Sequence, residues 1–355
     1  MTSLASLGFD EFFAAQLRRL DTPGWVPARI ASEGRNTFRL LGSRAEVGEL
    51  TGRLRRSLAP EERPVCGDWV AVADGEERAV IHHVLDRRTA LVRRAPGKDA
   101  RPQVLAANVD VFFVVTSANQ DLNERRLERY LAAVWNSGAS PVIVLNKVDL
   151  VEDTSHMLEA IERVALDVPV VQASAKSGRG IDELRSHLAP GRTVAFVGSS
   201  GVGKSSLANR LLGREVQQVG ELRADEKGRH TTTARQLVEL PDGGVLIDTP
   251  GLRELGLIDD AGGVDRSFPD VAAFAERCRF RDCRHSGEPG CAVVEAVERG
   301  ELAPERLESY RKLVEEIEAA ERSWDRAQAA KARPRWKAIH KGPRARAKGD
   351  PKPER

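Results

Sequence analysis

No run of roughly eighteen apolar residues occurs anywhere in the chain, which excludes a membrane-spanning helix. Its first residues, Met1 to Phe13, lack the basic stretch and apolar core of a secretory signal, so none is expected. Cysteine is scarce as well. Only four are present, and three of them crowd between Cys278 and Cys291, a distribution that argues against a disulfide framework and for a metal site. Internal repeats are absent. These absences lead to the expectation of a cytoplasmic globular protein. With 355 residues, 41% hydrophobic and 30% charged, the chain has room for two or three domains and a sizeable core.

The net charge of +2 hides an uneven distribution. From Lys331 onward there are ten Lys and Arg against two acids, a balance of +8, which leaves 45 basic and 51 acidic residues before it. That tail holds four prolines and almost no apolar side chains, so it is expected to be disordered alone and drawn to polyanions such as RNA. A merely solubilising tail is the plainer alternative.

Between Pro27 and Arg94 the chain shows short alternating segments at 28–30, 37–41, 46–50, 69–72 and 79–81, with nothing of helical length. Five short strands in so few residues predict a small closed barrel. Arg53, Arg55, Arg56, Arg87, Arg88, Arg93 and Arg94 favour oligonucleotide binding over a purely structural module. From Val109 the rhythm changes to apolar strands alternating with helices, an open α/β sheet. Strands are expected at 109–115, 141–145, 168–171 and 193–197, and a hairpin over 236–247. Beyond Phe268 the chain reads as helical. Pro304 suits the first turn of a helix whose apolar positions Leu307, Tyr310, Val314 and Ile317 are expected to pack on the preceding domain.

Short motifs sit at the ends of these strands. Gly198-Ser199-Ser200-Gly201-Val202-Gly203-Lys204-Ser205, with Ser206 following, is a phosphate loop between an apolar strand and a helix. Its glycines let backbone N–H groups face phosphate. Lys204 is expected on the β- and γ-phosphates and the Ser205 hydroxyl on Mg²⁺. Asp248-Thr249-Pro250-Gly251 follows another apolar strand, with Asp248 toward Mg²⁺ and the Gly251 N–H toward the γ-phosphate. Asn146-Lys147-Val148-Asp149 supplies a carboxylate, Asp149, able to accept from both guanine donors, where adenine would leave it unpaired. Ser174-Ala175-Lys176 adds a backbone donor for the guanine oxygen. Together they predict GTP and GDP binding. Between the phosphate loop and Asp248 lies Gly228-Arg229-His230-Thr231-Thr232-Thr233, where Thr231 or Thr232 is expected to close on Mg²⁺ and His230 to orient water. Leu252 occupies the place of the usual water-orienting glutamine, so intrinsic hydrolysis should be slow.

The order of these motifs is permuted: the guanine-reading pair precedes the phosphate loop, and Asp248–Gly251 comes last. The chain therefore leaves the nucleotide domain directly after its final switch and enters the region of Cys278, Cys283, His285 and Cys291. Three thiolates and one imidazole within 14 residues form a closed set for one structural Zn²⁺.

The permuted motifs, Gly67-Asp68-Trp69-Val70 in the barrel, Asn108-Val109-Asp110, Arg126-Leu127-Glu128-Arg129-Tyr130 and the cysteine cluster together resemble the ribosome small-subunit-dependent GTPase A (RsgA) family over residues 20 to 325. The resemblance implies an OB-fold barrel, a circularly permuted P-loop GTPase domain and a C-terminal helical zinc-binding domain. It implies a GTP hydrolase stimulated by the small ribosomal subunit late in maturation, a monomer with that subunit and its rRNA as partners. A nucleotide-gated RNA-binding module with little turnover is the alternative. The division expected is 1–26 extension, 27–96 barrel, 97–257 GTPase domain, 258–330 zinc module and 331–355 tail.

Overall fold

The structure is a computed structural model describing residues 3–94, 102–119, 121–213, 235–241, 243–248, 262–319 and 322. Strands β1 (Trp25–Glu33), β2 (Phe38–Leu41), β3 (Val47–Leu50), β4 (Trp69–Ala73) and β5 (Ala79–Val84) close in the order β1-β2-β3-β5-β4. All pairs are antiparallel except β3 with β5, the arrangement of a five-stranded OB barrel. Ala28, Ile30, Leu40, Val70, Val72, Ala79 and Ile81 fill its interior. The region expected to be free of helix contains one, α2 (Gly52–Ser57), whose N-terminus is capped by the Thr51 hydroxyl accepting from the Leu54 N–H. Six residues are too few for apolar periodicity to announce them.

Ahead of the barrel, α1 (Glu11–Arg19) starts at Asp10, whose carboxylate accepts from the Phe12 N–H. Phe9 and Phe13 lie against Trp69, with ring centroids 5.0 and 5.8 Å away, so the N-terminal segment is part of the core. The buried Arg29 guanidinium joins this segment to three others. It donates to the carbonyls of Leu7, Gly67 and Asn108 and, at 2.8 Å, to Thr193 Oγ1. Burial lowers its pKa to about 10, which still leaves it charged at neutral pH.

A hairpin of β6 (Ala90–Arg94) and β7 (Pro102–Ala107) leads from the barrel to the second sheet, and the expected boundary at 96/97 falls between its strands. That sheet has the order β10-β9-β8-β11-β13-β12. Its strands are β8 (Val111–Ser117), β9 (Ser140–Asn146), β10 (Val170–Gln172), β11 (Thr193–Gly198), β12 (Gln236–Glu239) and β13 (Val245–Asp248), all parallel except β12. Every residue of β8 is buried, as a strand covered on both faces requires. Helices α3 (Glu124–Asn136), α4 (Ser155–Val164), α5 (Ile181–Ser186) and α6 (Lys204–Leu211) connect the strands. The barrel docks closely on this sheet. Gly67 has φ +95°, and a Cβ there would lie 2.1 Å from the Ala107 carbonyl oxygen and 2.9 Å from Ile247 Cδ1 in β13.

The C-terminal module comprises α7 (Gly263–Ser267), α8 (Pro269–Ala275), α9 (Ala292–Glu298) and α10, residues 304–319. Leu307, Leu313 and Ile317 of α10 share a core with Leu127 and Leu131 of α3, so that face packs on the nucleotide domain as expected.

Candidate nucleotide site and metal cluster

β9, β10, β11 and β13 deliver the motifs to one edge of the sheet, the carboxyl ends where open α/β sheets bind ligands. The phosphate loop leaves β11 at Gly198 and enters α6 at Lys204. Asn146 braces it: Nδ2 donates to the Val202 carbonyl at 2.7 Å, and Oδ1 accepts from the Ala175 N–H at 3.4 Å. One buried amide thus joins three motifs that the sequence holds apart. Gly203 is required beside it, because a Cβ there would sit 2.2 Å from Asn146 Nδ2, at a φ of +98°.

Lys147, in the left-handed conformation, donates through Nζ to the Gly201 carbonyl at 2.7 Å. Lys204 reaches back over the loop, its ammonium on the carbonyls of Gly198 (2.6 Å) and Ser199 (2.5 Å). Asp149 is exposed at the end of its motif, with one carboxylate oxygen accepting from Ser174 Oγ at 2.6 Å. The same Ser174 hydroxyl accepts from the Ser177 N–H, tightening the turn through Ala175 and Lys176. Ser205 and Ser206 open α6, Ser200 stands exposed in the loop, and Asp248 ends β13. His230, Thr231, Thr232, Gly251 and Leu252, all expected at this site, lie outside the described residues, as do the tail and its expected disorder.

One contributor escaped the sequence reading. Arg210 at the end of α6 donates to the carbonyls of Ala175 (2.8 Å) and Lys176 (3.0 Å), tying the base-side loop to the phosphate-side helix. The only sequence signal for it is a basic residue about 1.7 turns after Lys204. Arg87, one of the basic residues that favoured oligonucleotide binding by the barrel, is instead engaged internally: it pairs with the buried Asp68 carboxylate through two 2.8 Å bonds. Burial pushes the Asp68 carboxyl up and Arg87 pulls it down. Arg88 pairs with Asp10 and lies over the Phe12 and Phe13 rings.

Cys278, Cys283, His285 and Cys291 offer ligand atoms that all lie within 4.8 Å of one another. Cys278 Sγ is 4.0 Å from Cys291 Sγ and 3.6 Å from His285 Nδ1, and Cys291 Sγ is 3.5 Å from that nitrogen. Zinc bonds of roughly 2.3 Å to sulfur and 2.1 Å to nitrogen give tetrahedral edges of about 3.8 Å between sulfurs and 3.6 Å from sulfur to nitrogen. The residues fit one zinc ion. Around them the Glu288 carboxylate accepts from the N–H groups of Arg284 and Ser286, fixing the ligand loop. Arg279 lies over the exposed Phe280 ring and Arg277 over Phe274.

The family model of the RsgA GTPase matches residues 84–258. A small ribosomal subunit biogenesis GTPase RsgA of Opitutus terrae is 48% identical, covering 97% of this chain and 98% of its own length. The chain belongs to the RsgA GTPase family. A small ribosomal subunit biogenesis GTPase RsgA of Methanosarcina acetivorans is also 48% identical, over 82% of this chain and 80% of its own. Among solved structures, YjeQ from Thermotoga maritima aligns with a TM-score of 0.62 at 30% identity, covering 82% of this chain and 98% of that one. YloQ, a circularly permuted GTPase, aligns at 0.59 and 25% identity, over 83% and 96%. Family membership gives the nucleotide site its ligands, GTP or GDP with Mg²⁺.

Proposed function

We propose that this chain hydrolyses GTP on the small ribosomal subunit during its maturation, and that docking on the subunit accelerates the hydrolysis. The observation that carries this reading is Asn146 bridging Val202 and Ala175, which holds the guanine-reading and phosphate-binding halves as one site. The names of the relatives from Opitutus terrae and Methanosarcina acetivorans supply the partner.

In this reading Asp149 accepts from the guanine donors while Ser174 fixes its second oxygen, and the Ala175 and Lys176 backbone lies beside the base. The N–H groups from Ser199 to Ser206 cradle the phosphates, with Lys204 neutralising their charge. Ser205 and Asp248 hold Mg²⁺, which when bound offsets charge on the phosphate oxygens. Thr231 or Thr232 closes on the same ion, Gly251 meets the γ-phosphate, and His230 orients water where Leu252 replaces glutamine. Zinc, when bound to Cys278, Cys283, His285 and Cys291, fixes the C-terminal module. Arg277, Arg279 and Arg281 on that module, with Arg53, Arg55 and Arg56 on α2, face rRNA phosphates. The division into extension, barrel, GTPase domain, zinc module and tail belongs to the same proposal, supported by the barrel strands at 25–84 and the module helices from 263. So do a monomeric state and a place in the cytoplasm. Among the described residues no helix is long and apolar enough to cross a membrane.

Phosphate release from GTP, measured with separated small and large subunits at two salt concentrations, tests the reading. Stimulation by the small subunit alone, weakening as salt rises, is expected. No stimulation by either subunit favours a nucleotide-gated binding module with little turnover.

A further inference from the structure

We propose that Arg210 is a positioning residue for base choice: it aims the backbone N–H groups of the Ser174–Lys176 loop at the 6-oxygen of guanine. The proposal rests on the nucleotide reading of the site and deepens it to one edge of the base. Asp149 is an acceptor, so it reads the two donors of guanine and leaves the 6-oxygen to a donor elsewhere. Adenine carries an amino group at that place, and a fixed donor there turns it away.

Three consecutive peptide groups form the loop, and each is held by a different device. The Ala175 N–H donates to Asn146 Oδ1 at 3.4 Å, a long and weak bond. The Ala175 carbonyl accepts from Arg210 Nε at 2.8 Å, and the Lys176 carbonyl accepts from a terminal nitrogen of the same guanidinium at 3.0 Å. Beyond it, the Ser177 N–H donates to Ser174 Oγ at 3.0 Å.

The C=O and N–H of a trans peptide point in opposite directions. Arg210 draws the Ala175 carbonyl toward α6, and so turns the Lys176 N–H away from that helix. Among the described residues this N–H has no acceptor. It is a donor of fixed direction, in a loop whose Ser174 hydroxyl bonds the base-reading Asp149 at 2.6 Å. A carbonyl oxygen on the base completes it. Two bonds from one planar guanidinium fix direction as well as distance, which the single ammonium of a lysine does not.

Arg210 stands in the last turn of α6, where a cation also suits the carbonyl end of the helix. It lies about 9 Å along the axis from Lys204. One rigid helix thus turns its first residues to the phosphates and its last-turn guanidinium to the loop beside the base. The remainder of the loop is closed without Arg210. The Ser174 N–H donates to the Arg179 carbonyl and the Gly178 N–H to the Ser174 carbonyl, each at 2.9 Å. Loss of the guanidinium therefore frees the central peptides while Ser174 and Asp149 stay paired.

Two analogues separate the two edges of the base. 6-Thio-GDP keeps both guanine donors and replaces the 6-oxygen by a weakly accepting sulfur. IDP keeps the oxygen and lacks the 2-amino group that Asp149 reads. Affinities for GDP, 6-thio-GDP and IDP are measured for wild type and Arg210→Met on the zinc-loaded full chain, with melting temperature as a check of folding. One aimed hydrogen bond is worth a factor of about five, so the preference for GDP over 6-thio-GDP is expected to fall at least threefold in the variant. Its preference for GDP over IDP is expected to stay within twofold of wild type. Both preferences falling together, the IDP preference falling alone, or neither changing overturns the proposal. So does a wild-type chain that binds GDP and 6-thio-GDP equally. If Arg210→Met fails to fold, Arg210→Lys, which keeps the charge and loses the fork, takes its place with the same outcomes. A wild-type chain with no preference for GDP over ADP refutes the reading of the site itself, a result visible before any variant is made.

Discussion

Glu128→Gln is expected to stabilise the protein at alkaline pH, although it removes one member of an ion pair. The Glu128 side chain is 3% exposed, and burial pushes its carboxyl up from 4.5 to about 7. Arg306 pulls the other way, and Glu124 adds a smaller upward push. A carboxyl with a raised pKa in the folded state binds a proton more tightly there than in the unfolded chain. Its contribution to stability is therefore complete below pH 4.5 and is lost as pH rises through 7. At about 1.4 kcal/mol per pH unit, the loss between pH 5.5 and 8 comes to about 2 kcal/mol. Glutamine has no proton to lose, so the variant escapes it. Urea unfolding of wild type and variant across that range, with zinc present, should show the stability gap growing by about 2 kcal/mol in favour of glutamine. A gap that does not vary with pH would falsify the reasoning, and so would a variant weaker than wild type at pH 8. The latter would mean that the charge left on Arg306 costs more than desolvation of the carboxylate, the usual outcome when one partner of a buried pair is removed.

Asn146→Ala leaves the Val202 carbonyl and the Ala175 N–H without their partner, a loss of about 1–3 kcal/mol, so GDP affinity should fall about five- to 150-fold. Titration with a fluorescent GDP checks this, and wild-type affinity would show that the bridge is dispensable. Gly67→Ala places a methyl group against the Ala107 carbonyl at positive φ, so melting should occur at least several degrees lower. A melting temperature within one degree of wild type would mean the barrel is not held to the sheet there. Cys283→Ser should cut bound zinc from one per chain to near none by elemental analysis, and undiminished zinc would remove Cys283 from the ligand set.

The nucleotide motifs were legible in sequence because each is local. A strand end, a loop and a helix start fit within eight residues, and backbone conformation does most of the work, as at Gly203. The cysteine cluster was legible for the same reason: its four ligands fall within 14 residues. Interactions that close over long separations were not. Arg210 reads as one more surface arginine until Ala175 and Lys176 are found beside it, 35 and 34 residues earlier. Arg306 finds Glu128 across 178 residues. Arg87 shows the reverse error, since counting charges cannot reveal that its guanidinium is engaged with Asp68. The β6–β7 hairpin went unread because Arg93 and Arg94 look like continuations of the basic barrel surface.

The strand order carries a consequence for synthesis. In the chain, β8, β9 and β10 precede the phosphate loop, and β8 lies in the interior of the finished sheet between β9 and β11. The half that reads the base is therefore complete on the nascent chain before β11 has emerged. During that interval the apolar β8 presents an unpaired edge, an invitation to wrong pairing. An unpermuted order makes the phosphate loop first, so nucleotide can help fold the strands made after it. Here no nucleotide can act as a template until the phosphate loop has left the exit tunnel behind β8, β9 and β10, so the early half-sheet must hold together on the strength of its own core.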